Sequence, residues 1–167
     1  TAIDHFAQRL LALDIAIFRF GNTSKVNPNI WKHTADGILS QEPYAKQLKK
    51  LRIKADEFRK LAQQYKRNFG KSEREQRKLM YQEVKLLRKE IRDTSNYYLE
   101  KSLEQAAVIL GTPVGLQDSL AKMIEYDVAI IDEAGQCLEP MAWIALQMAP
   151  KMILAGDPHQ LPPTVID

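Results

Sequence analysis

Two short motifs in the last third of the chain hold the side chains best suited to catalysis. DEAGQ occupies residues 132–136 and GDPHQLPP occupies residues 156–163, and each follows an apolar run. Asp132 closes its run and Glu133 follows at once, so the first carboxylate could hold a hydrated magnesium ion while the second polarises an attacking water. The pair therefore suits nucleotide hydrolysis. The alternative is that both acids only cap a helix starting near Leu138, because acids favour helix N-termini.

The second motif adds an acid and an amide to the first. Asp157 and Gln160 follow the next apolar run, which places them beside DEAGQ if the two runs form neighbouring strands. The Gln160 amide could contact a terminal phosphate oxygen and respond to its loss. Pro162 and Pro163 stiffen the loop that follows, so a movement of Gln160 could be passed onward. The alternative is an ordinary loop at a strand exit, where Gly, Asp and Pro are common.

Three short apolar runs bounded by turn residues predict buried strands at residues 106–111, 127–132 and 151–156. Helical patterns at 115–124 and 138–148 separate these runs. Strands that alternate with helices predict a parallel sheet with helices packed on its faces. Ligands of such sheets bind at the carboxyl ends of the strands, which is where both motifs fall.

The first part of the chain predicts a helix followed by an irregular connection. Apolar residues recur at intervals of three and four over residues 2 to about 20, which places them on one face of a helix. Gly21 ends this helix. Residues 23–37 lack such a pattern and predict loops or short turns. Two apolar side chains, Ile30 and Trp31, should fix this connection to the core.

The middle of the chain predicts two long helices that pair with each other. From Tyr44 and again from Met80, apolar residues recur at the spacing of a helix that packs against another helix. A turn at residues 68–71 separates the two stripes, which predicts an antiparallel helical hairpin. Tyr97 and Tyr98 could stack on nucleic-acid bases, and packing in the stripe is the alternative. The stripes run through Tyr44, Leu48, Leu51, Ala55, Phe58, Ala62 and Tyr65, and through Met80, Val84, Leu87, Ile91, Thr94 and Tyr98.

Charge is divided unevenly along the chain, whose formal net charge is +3. Residues 43–104 hold 18 Lys or Arg against 9 Asp or Glu, a net charge of +9. The remainder holds 6 basic residues against 12 acidic ones, a net charge of −6. A basic arm on an acidic body suggests a polyanionic partner, and a solvated helical face is the alternative.

Composition excludes several classes of protein. A 167-residue chain that is 45% hydrophobic can build the core of a globular domain. Its single cysteine, Cys137, excludes an internal disulfide framework and a cysteine-based zinc site. No apolar run reaches the 18 or so residues that a membrane-spanning helix needs, so the sequence predicts a soluble, cytoplasmic protein with no membrane partner.

The two motifs together resemble motifs II and III of superfamily 1 helicases, in particular those of the Upf-like branch. TAIDHFAQRL at residues 1–10 resembles the end of motif Ia and the helix after it, and VILGTPVGL at 108–116 resembles motif Ic. The basic hairpin falls between these segments, where members of this branch carry an insertion in the first RecA-like domain. The resemblance covers nearly the whole chain, by motifs after Ala106 and by pattern alone in the hairpin.

The resemblance implies an α/β fold: a partial RecA-like parallel sheet of the P-loop NTPase type, with flanking helices and the inserted helical hairpin. Residues 1–40 and 105–167 would belong to the RecA-like domain, and residues 41–104 to the hairpin. The chain contains neither the first strand of that domain nor the GxxxxGK[ST] phosphate loop. We therefore expect a fragment of a longer parent, which alone neither hydrolyses ATP nor unwinds a duplex.

The same resemblance implies a site for ATP and Mg²⁺. Asp132 would organise the magnesium ion through water, and Glu133 would be the catalytic base. Further groups would surround the nucleotide, and one of them would sense the terminal phosphate. These groups would be Gln136, Gly156, Asp157 and the sensor Gln160.

A single strand of DNA or RNA is the implied partner, together with the remainder of the parent chain. Thr112 and the loop at Pro162 would face the nucleic-acid backbone, and a further hypothesis gives the hairpin the same role. An ATP-driven translocase that does not separate strands is one alternative function. The other is a partner-docking module with a vestigial ATPase site. The hairpin residues proposed to grip the backbone are Lys49, Lys50, Arg59 and Lys60.

Overall fold

The computed structural model describes residues 2–24, 26–64, 70–157 and 159. The chain divides into two compact units. One, which we call the sheet unit, combines residues 1–34 with residues 105–167. The other, the hairpin unit, comprises residues 35–104.

The sheet unit alternates short helices with three-residue strands. Three further 3₁₀ turns lie between its strands, at Gly115–Gln117, Ala121–Met123 and Ala134–Gln136. The helices are α1 (Ala2–Ala12), α2 (Pro28–Trp31) and α6 (Glu139–Leu146), and the strands are β1 (Ile17–Arg19), β2 (Val108–Leu110), β3 (Ala129–Ile131) and β4 (Met152–Leu154).

The strands form two parallel pairs. In the first pair β1 lies beside β2, with Phe18 opposite Ile109. In the second pair β3 lies beside β4, with Ile130 opposite Ile153. The three strands that the sequence predicts are therefore present and in parallel pairing. The prediction of one sheet through all three is wrong for the described residues, because β2 pairs with β1 instead.

The first helix is shorter than the sequence predicts, and its continuation to residue 20 is wrong. The helix ends at Ala12, and Asp14 then takes a left-handed conformation with φ of 58°. The chain re-enters the core as β1, where Ile17 and Phe18 are buried. β-Branched and aromatic residues favour a strand. Pairing with β2 also satisfies the backbone groups of this segment, so tertiary contact overrides the helical spacing.

The core of the sheet unit also holds an ion pair that no motif indicates. The Arg19 Nε atom donates to the Asp4 Oδ1 atom at 3.0 Å, and both residues are buried. A second guanidinium nitrogen of Arg19 donates to the Asn22 carbonyl oxygen at 3.1 Å. The ion pair joins α1 to β1. The predicted anchor Ile30 is confirmed, since it packs fully buried against Ala7 and Ile17.

The predicted helix at 115–124 is wrong, whereas the predicted helix at 138–148 is confirmed as α6. Two 3₁₀ turns replace the first one. Asp118 separates them with an extended backbone, and its Oδ1 atom accepts the N–H of Leu120 at 2.9 Å. Aspartate side chains compete with helical hydrogen bonds in this way.

The hairpin unit contains α3 (Ala35–Leu39), α4 (Tyr44–Gln63) and α5 (Lys71–Gln105). The Tyr98 hydroxyl donates to the Gln47 side chain near the start of α4, and Arg77 donates to the Gln64 carbonyl oxygen at its end at 3.2 Å. Positions later in α4 thus meet positions earlier in α5, which confirms the antiparallel hairpin. The buried stripe residues are Leu48, Ala55 and Ala62 of α4, and Val84 and Leu87 of α5.

The two neighbouring tyrosines of α5 have different surroundings. Tyr98 packs in the stripe, where its ring stacks on Tyr44 with 4.0 Å between centroids. Tyr97 is 61% exposed, so packing in the stripe is wrong for this residue. Other predictions, for Tyr65 in the stripe and for the turn residues 68 and 69, lie outside the described residues.

Candidate nucleotide site

The first motif begins where β3 ends. Ile131 is buried, and Asp132 and Glu133 follow it as exposed side chains at the carboxyl end of the strand. The Asp132 Oδ1 atom accepts the N–H of Glu133 at 3.1 Å. Glu133 takes a left-handed conformation with φ of 54°, which is uncommon for a residue other than glycine. The chain therefore turns sharply at Glu133, directly after the strand.

The second motif is held against the first by backbone contacts. The N–H of Ala134 donates to the Ala155 carbonyl oxygen at 2.8 Å, and the N–H of Ala155 donates to the Ile131 carbonyl oxygen at 2.9 Å. A Cβ atom at Gly156 would lie 3.1 Å from the backbone nitrogens of both Ala134 and Gly135. Only glycine fits this approach without a shift of the neighbouring loop. The two motifs therefore lie side by side, as neighbouring parallel strands require.

Polar side chains of both motifs lie at the surface of this loop pair. Gln136 directs its amide Nε2 atom toward the Glu133 Oε2 atom at 3.4 Å. The Asp157 Oδ1 atom accepts the N–H of His159 at 2.9 Å, which fixes the carboxylate in its own loop. The described part of the site thus presents three carboxylates and one amide to solvent.

The helix-cap interpretation of the acids is wrong for α6. The N-cap residue of α6 is Leu138, and no side chain forms a capping hydrogen bond there. The acid in the first turn of α6 is Glu139, several residues after the motif. Asp132 and Glu133 lie instead at the end of β3, in the position where α/β sheets bind ligands.

The donor set suits a magnesium ion held mostly by water and phosphate. Mg²⁺ usually takes one or two carboxylates from the protein and keeps several waters. Asp132 offers an exposed carboxylate at the strand end, and Glu133 and Asp157 lie on the same loop pair. Within residues 2–24, 26–64, 70–157 and 159, no group of three His, Cys, Asp or Glu residues forms a ready metal cage. Asp132 therefore fits an ion that the nucleotide itself helps to bind.

Two predicted site residues, Gln160 and Pro162, lie outside the described residues. Thr112 lies at the carboxyl end of β2, beside the loop that follows β1. Its Oγ1 atom accepts the N–H of Gly115 at 3.2 Å, and a Cβ atom on Gly115 would lie 3.1 Å from the Cα atom of Gly21. Thr112 is exposed, so it is accessible to a ligand, and its contact with nucleic acid stays a prediction.

The four predicted hairpin residues are all exposed on α4, but helical geometry does not bring them into one cluster. Successive helix residues are about 100° apart. Lys50 and Arg59, at about nine times that angle, point to opposite sides of α4. Lys49 and Lys60 point to the same side, because eleven residues make nearly three whole turns.

A groove of about 860 Å³ lies in the sheet unit, away from the two motifs. Its lining includes Asp127, which precedes β3, and Pro150, which precedes β4. It therefore opens near the amino ends of the strands that carry the motifs at their carboxyl ends. The residues predicted to bind the nucleotide do not line it.

A parallel strand pair with an Asp-Glu motif at one carboxyl end and a second acidic loop at the next defines an α/β domain of the P-loop nucleoside-triphosphatase class. The chain belongs to the family described as AAA domain, which it matches over residues 1–167.

Named helicases are among its relatives. It is 33% identical over 99% of its length to the DNA-binding protein SMUBP-2 of Rattus norvegicus and covers 16% of that protein. It is 30% identical over 98% of its length to the DNA polymerase alpha-associated DNA helicase A of Schizosaccharomyces pombe and covers 24% of it. It is 24% identical over 92% of its length to an uncharacterized ATP-dependent helicase of Methanocaldococcus jannaschii and covers 27% of it.

These similarities confirm the resemblance to superfamily 1 helicases that the motifs indicate. The chain spans between about a sixth and about a quarter of the length of these relatives. None of the helices in the described ranges is both long enough and apolar enough to cross a membrane.

Proposed function

We propose that the chain is part of the motor core of an ATP-dependent helicase that moves along single-stranded DNA or RNA. The observation that carries the proposal is the pairing of the two motif loops through Ala134, Ala155 and Gly156. This pairing places an exposed Asp-Glu motif and the carboxylate of Asp157 at one sheet edge. The names of the relatives, among them a DNA helicase and an ATP-dependent helicase, support the same conclusion.

Asp132 would hold Mg²⁺ through water, and the ion would neutralise charge on the nucleotide phosphates. Glu133 would accept the proton of the attacking water through a carboxylate oxygen. Gln136, which lies at hydrogen-bonding distance from Glu133, would orient that carboxylate. Each of these groups is exposed at the strand end, so a nucleotide supplied with its phosphate-binding loop could reach them.

The backbone pairing also gives a route from the nucleotide to the second motif. Ala134 follows Glu133 directly and is bonded to Ala155, so a shift of the first loop on phosphate release would move the end of β4. Gln160 would sense the terminal phosphate, and the loop at Pro162 would carry the movement to the nucleic acid. Thr112, at the carboxyl end of β2, would contact the backbone of the strand.

Glu133→Gln in the full-length protein tests this proposal. The amide cannot accept a proton, so ATP hydrolysis should fall by about a hundredfold or more while ATP binding is retained. Glu125→Gln is the control, because this exposed acid precedes β3 at the opposite end of the strand. Normal hydrolysis by the Glu133 variant would contradict the proposal.

Two further assays separate the related activities. Release of a labelled strand from a duplex would show a helicase, whereas displacement of bound protein without strand release would show a translocase. Residues 1–167 alone should show no ATPase activity stimulated by nucleic acid, because the phosphate loop is absent from their sequence.

A further inference from the structure

The charged side chains of α5 are separated onto two flanks of the helix. With about 100° between successive residues, six of its nine bases lie on one side of the buried stripe that contains Val84 and Leu87. Five of its seven acids lie toward the other side. The basic flank holds Arg74, Arg77, Lys78, Lys85, Arg88 and Arg92, and the acidic flank holds Glu75, Glu83, Glu90, Asp93 and Glu104.

The antiparallel partner adds to the same side. In two antiparallel helices that face each other through their stripes, residues that follow the stripe by the same rotation lie on one face of the pair. By this rule Arg52 and Arg59 of α4 join the basic flank of α5, and Asp56 is the one acid among them. Lys54 of α4 joins the acidic flank instead. We call the surface formed by Arg52, Arg59, Arg74, Lys85, Arg88 and Arg92 the basic face.

This separation costs stability in the free protein. Opposite charges four residues apart stabilise a helix, whereas like charges at that spacing destabilise it by a similar amount. Arg88 and Arg92 have that spacing and the same sign. In the part of the chain that the structure describes, no carboxylate forms an ion pair with either of them. A face that was only solvated would gain from mixed charges, so the arrangement favours an external polyanion.

An aromatic side chain lies within the basic face. Tyr81 is 46% exposed and sits on α5 between Arg74 and Lys85, on the same flank. Aromatic rings interleaved with cations are suited to single strands, because an unpaired base can stack on the ring while the cations contact phosphates.

We propose that the basic face binds the phosphate backbone of a single strand, with a base stacked on Tyr81, and that the acidic flank of α5 faces away. Arg74 and Arg92 are 18 residues apart, or about 27 Å along the helix. At about 3.4 Å for each phosphate of a duplex strand, that length matches roughly eight phosphates. The proposal rests on the proposed function for the identity of the polyanion. It assigns the contact to Arg59 and to α5, and it removes Lys50 from the predicted set.

The first test compares two double variants of the full-length protein that remove the same charge. Arg88→Gln with Arg92→Gln removes two bases of the basic face, and Lys54→Gln with Lys101→Gln removes two bases from the acidic flank. Binding of a fluorescent single-stranded oligonucleotide is measured without ATP over a range of salt concentrations. The first double variant should bind about tenfold more weakly at low salt, and its salt slope should be smaller by about 1. The second should change either value far less.

The second test compares two exposed tyrosines of the same helix. Tyr81→Ala should weaken binding of a single strand by about fivefold or more, and Tyr97→Ala on the opposite flank should not. Binding of a blunt duplex should respond less to Tyr81→Ala, because its bases are already stacked. Equal responses of single strand and duplex would overturn the assignment to single strands.

Equal losses in the two double variants, or no loss in either, would overturn the basic face as the binding surface. No loss would leave the basic face for an acidic protein partner. The ATPase rate without nucleic acid should be normal in all these variants. Failure of the proposed function would instead appear as normal hydrolysis by Glu133→Gln, so the two failures can be told apart.

Discussion

The backbone N–H of Ala134 donates to the carbonyl oxygen of Ala155, with 2.8 Å between nitrogen and oxygen. This bond fixes the loop after β3 to the end of β4. Neither residue has a functional side chain, and yet their contact determines where Glu133 and Asp157 lie relative to each other. The candidate site therefore depends on backbone geometry as much as on its carboxylates.

Gly156→Ala should impair catalysis by disturbing this loop pair. The added Cβ atom would lie 3.1 Å from the backbone nitrogens of Ala134 and Gly135, so the loop must shift by some tenths of an ångström. Small displacements of catalytic groups are costly, and we expect kcat for ATP hydrolysis in the full-length protein to fall by about tenfold. Gly135→Ala is the control, because its Cβ atom would make an ordinary 3.4 Å contact with the Asp157 carbonyl oxygen. Similar losses in both variants would contradict this explanation.

Asp4→Ala should destabilise the chain strongly. The Arg19 guanidinium is buried, and removal of its carboxylate partner at 3.0 Å would leave a buried charge without compensation. We expect the free energy of unfolding to fall by about 3–5 kcal/mol, measured by urea denaturation. Replacement of both residues, Asp4→Leu with Arg19→Met, should recover much of this loss. A double variant as unstable as the single one would show that packing, not the unpaired charge, dominates.

The stability of the chain should fall in mildly acidic solution through His33. Burial and the nearby Lys32 lower the pKa of His33 below 6.5, while a backbone hydrogen bond at Ile17 opposes them. The unfolded chain then binds the proton more readily than the folded one as the pH drops below about 6.5. The contribution is complete above that pH and is lost as the pH falls toward the lower folded pKa.

Urea midpoints at pH 7.5, 6.5 and 5.5 measure this effect. His33→Gln should reduce the decrease of the midpoint between pH 7.5 and 5.5. His5→Gln, which changes an exposed residue of α1, is the matched control. A pH dependence that is unchanged by His33→Gln would assign the acid sensitivity to other groups.

Two adjacent leucines of α5 should differ sharply in their contribution to stability. Leu87 is 4% exposed in the stripe, and Leu86 is 60% exposed on the acidic flank. Leu87→Ala should lower the free energy of unfolding by about 2–5 kcal/mol, because it leaves a cavity between the helices. Leu86→Ala should cost much less. Equal losses, measured by thermal and urea unfolding, would mean that Leu86 is also covered in solution.

Most of the hairpin could be predicted from the sequence, because an apolar stripe with intervals of three and four has few other ways to be buried. The same spacing was misleading between residues 13 and 20. There, Ile17 and Phe18 pair with β2 from a distant part of the chain, and no local pattern contains that partner. The difference lies in the range of the contacts. The stripe of α4 is buried by the next helix along the chain, whereas β1 is buried by a strand that follows only after the hairpin.

The sequence by itself determined the chemistry of the candidate site: Asp132, Glu133, Gln136 and Asp157 are visible as carboxylates and an amide after apolar runs. Only the tertiary structure decided how these groups are held together. The contact of Gly156 with the Ala134 loop involves backbone atoms, which are the same in every residue and leave no side-chain pattern. The buried pair of Arg19 and Asp4 was equally hidden, because a charged residue shows that it is buried only when its partner from another element is in place.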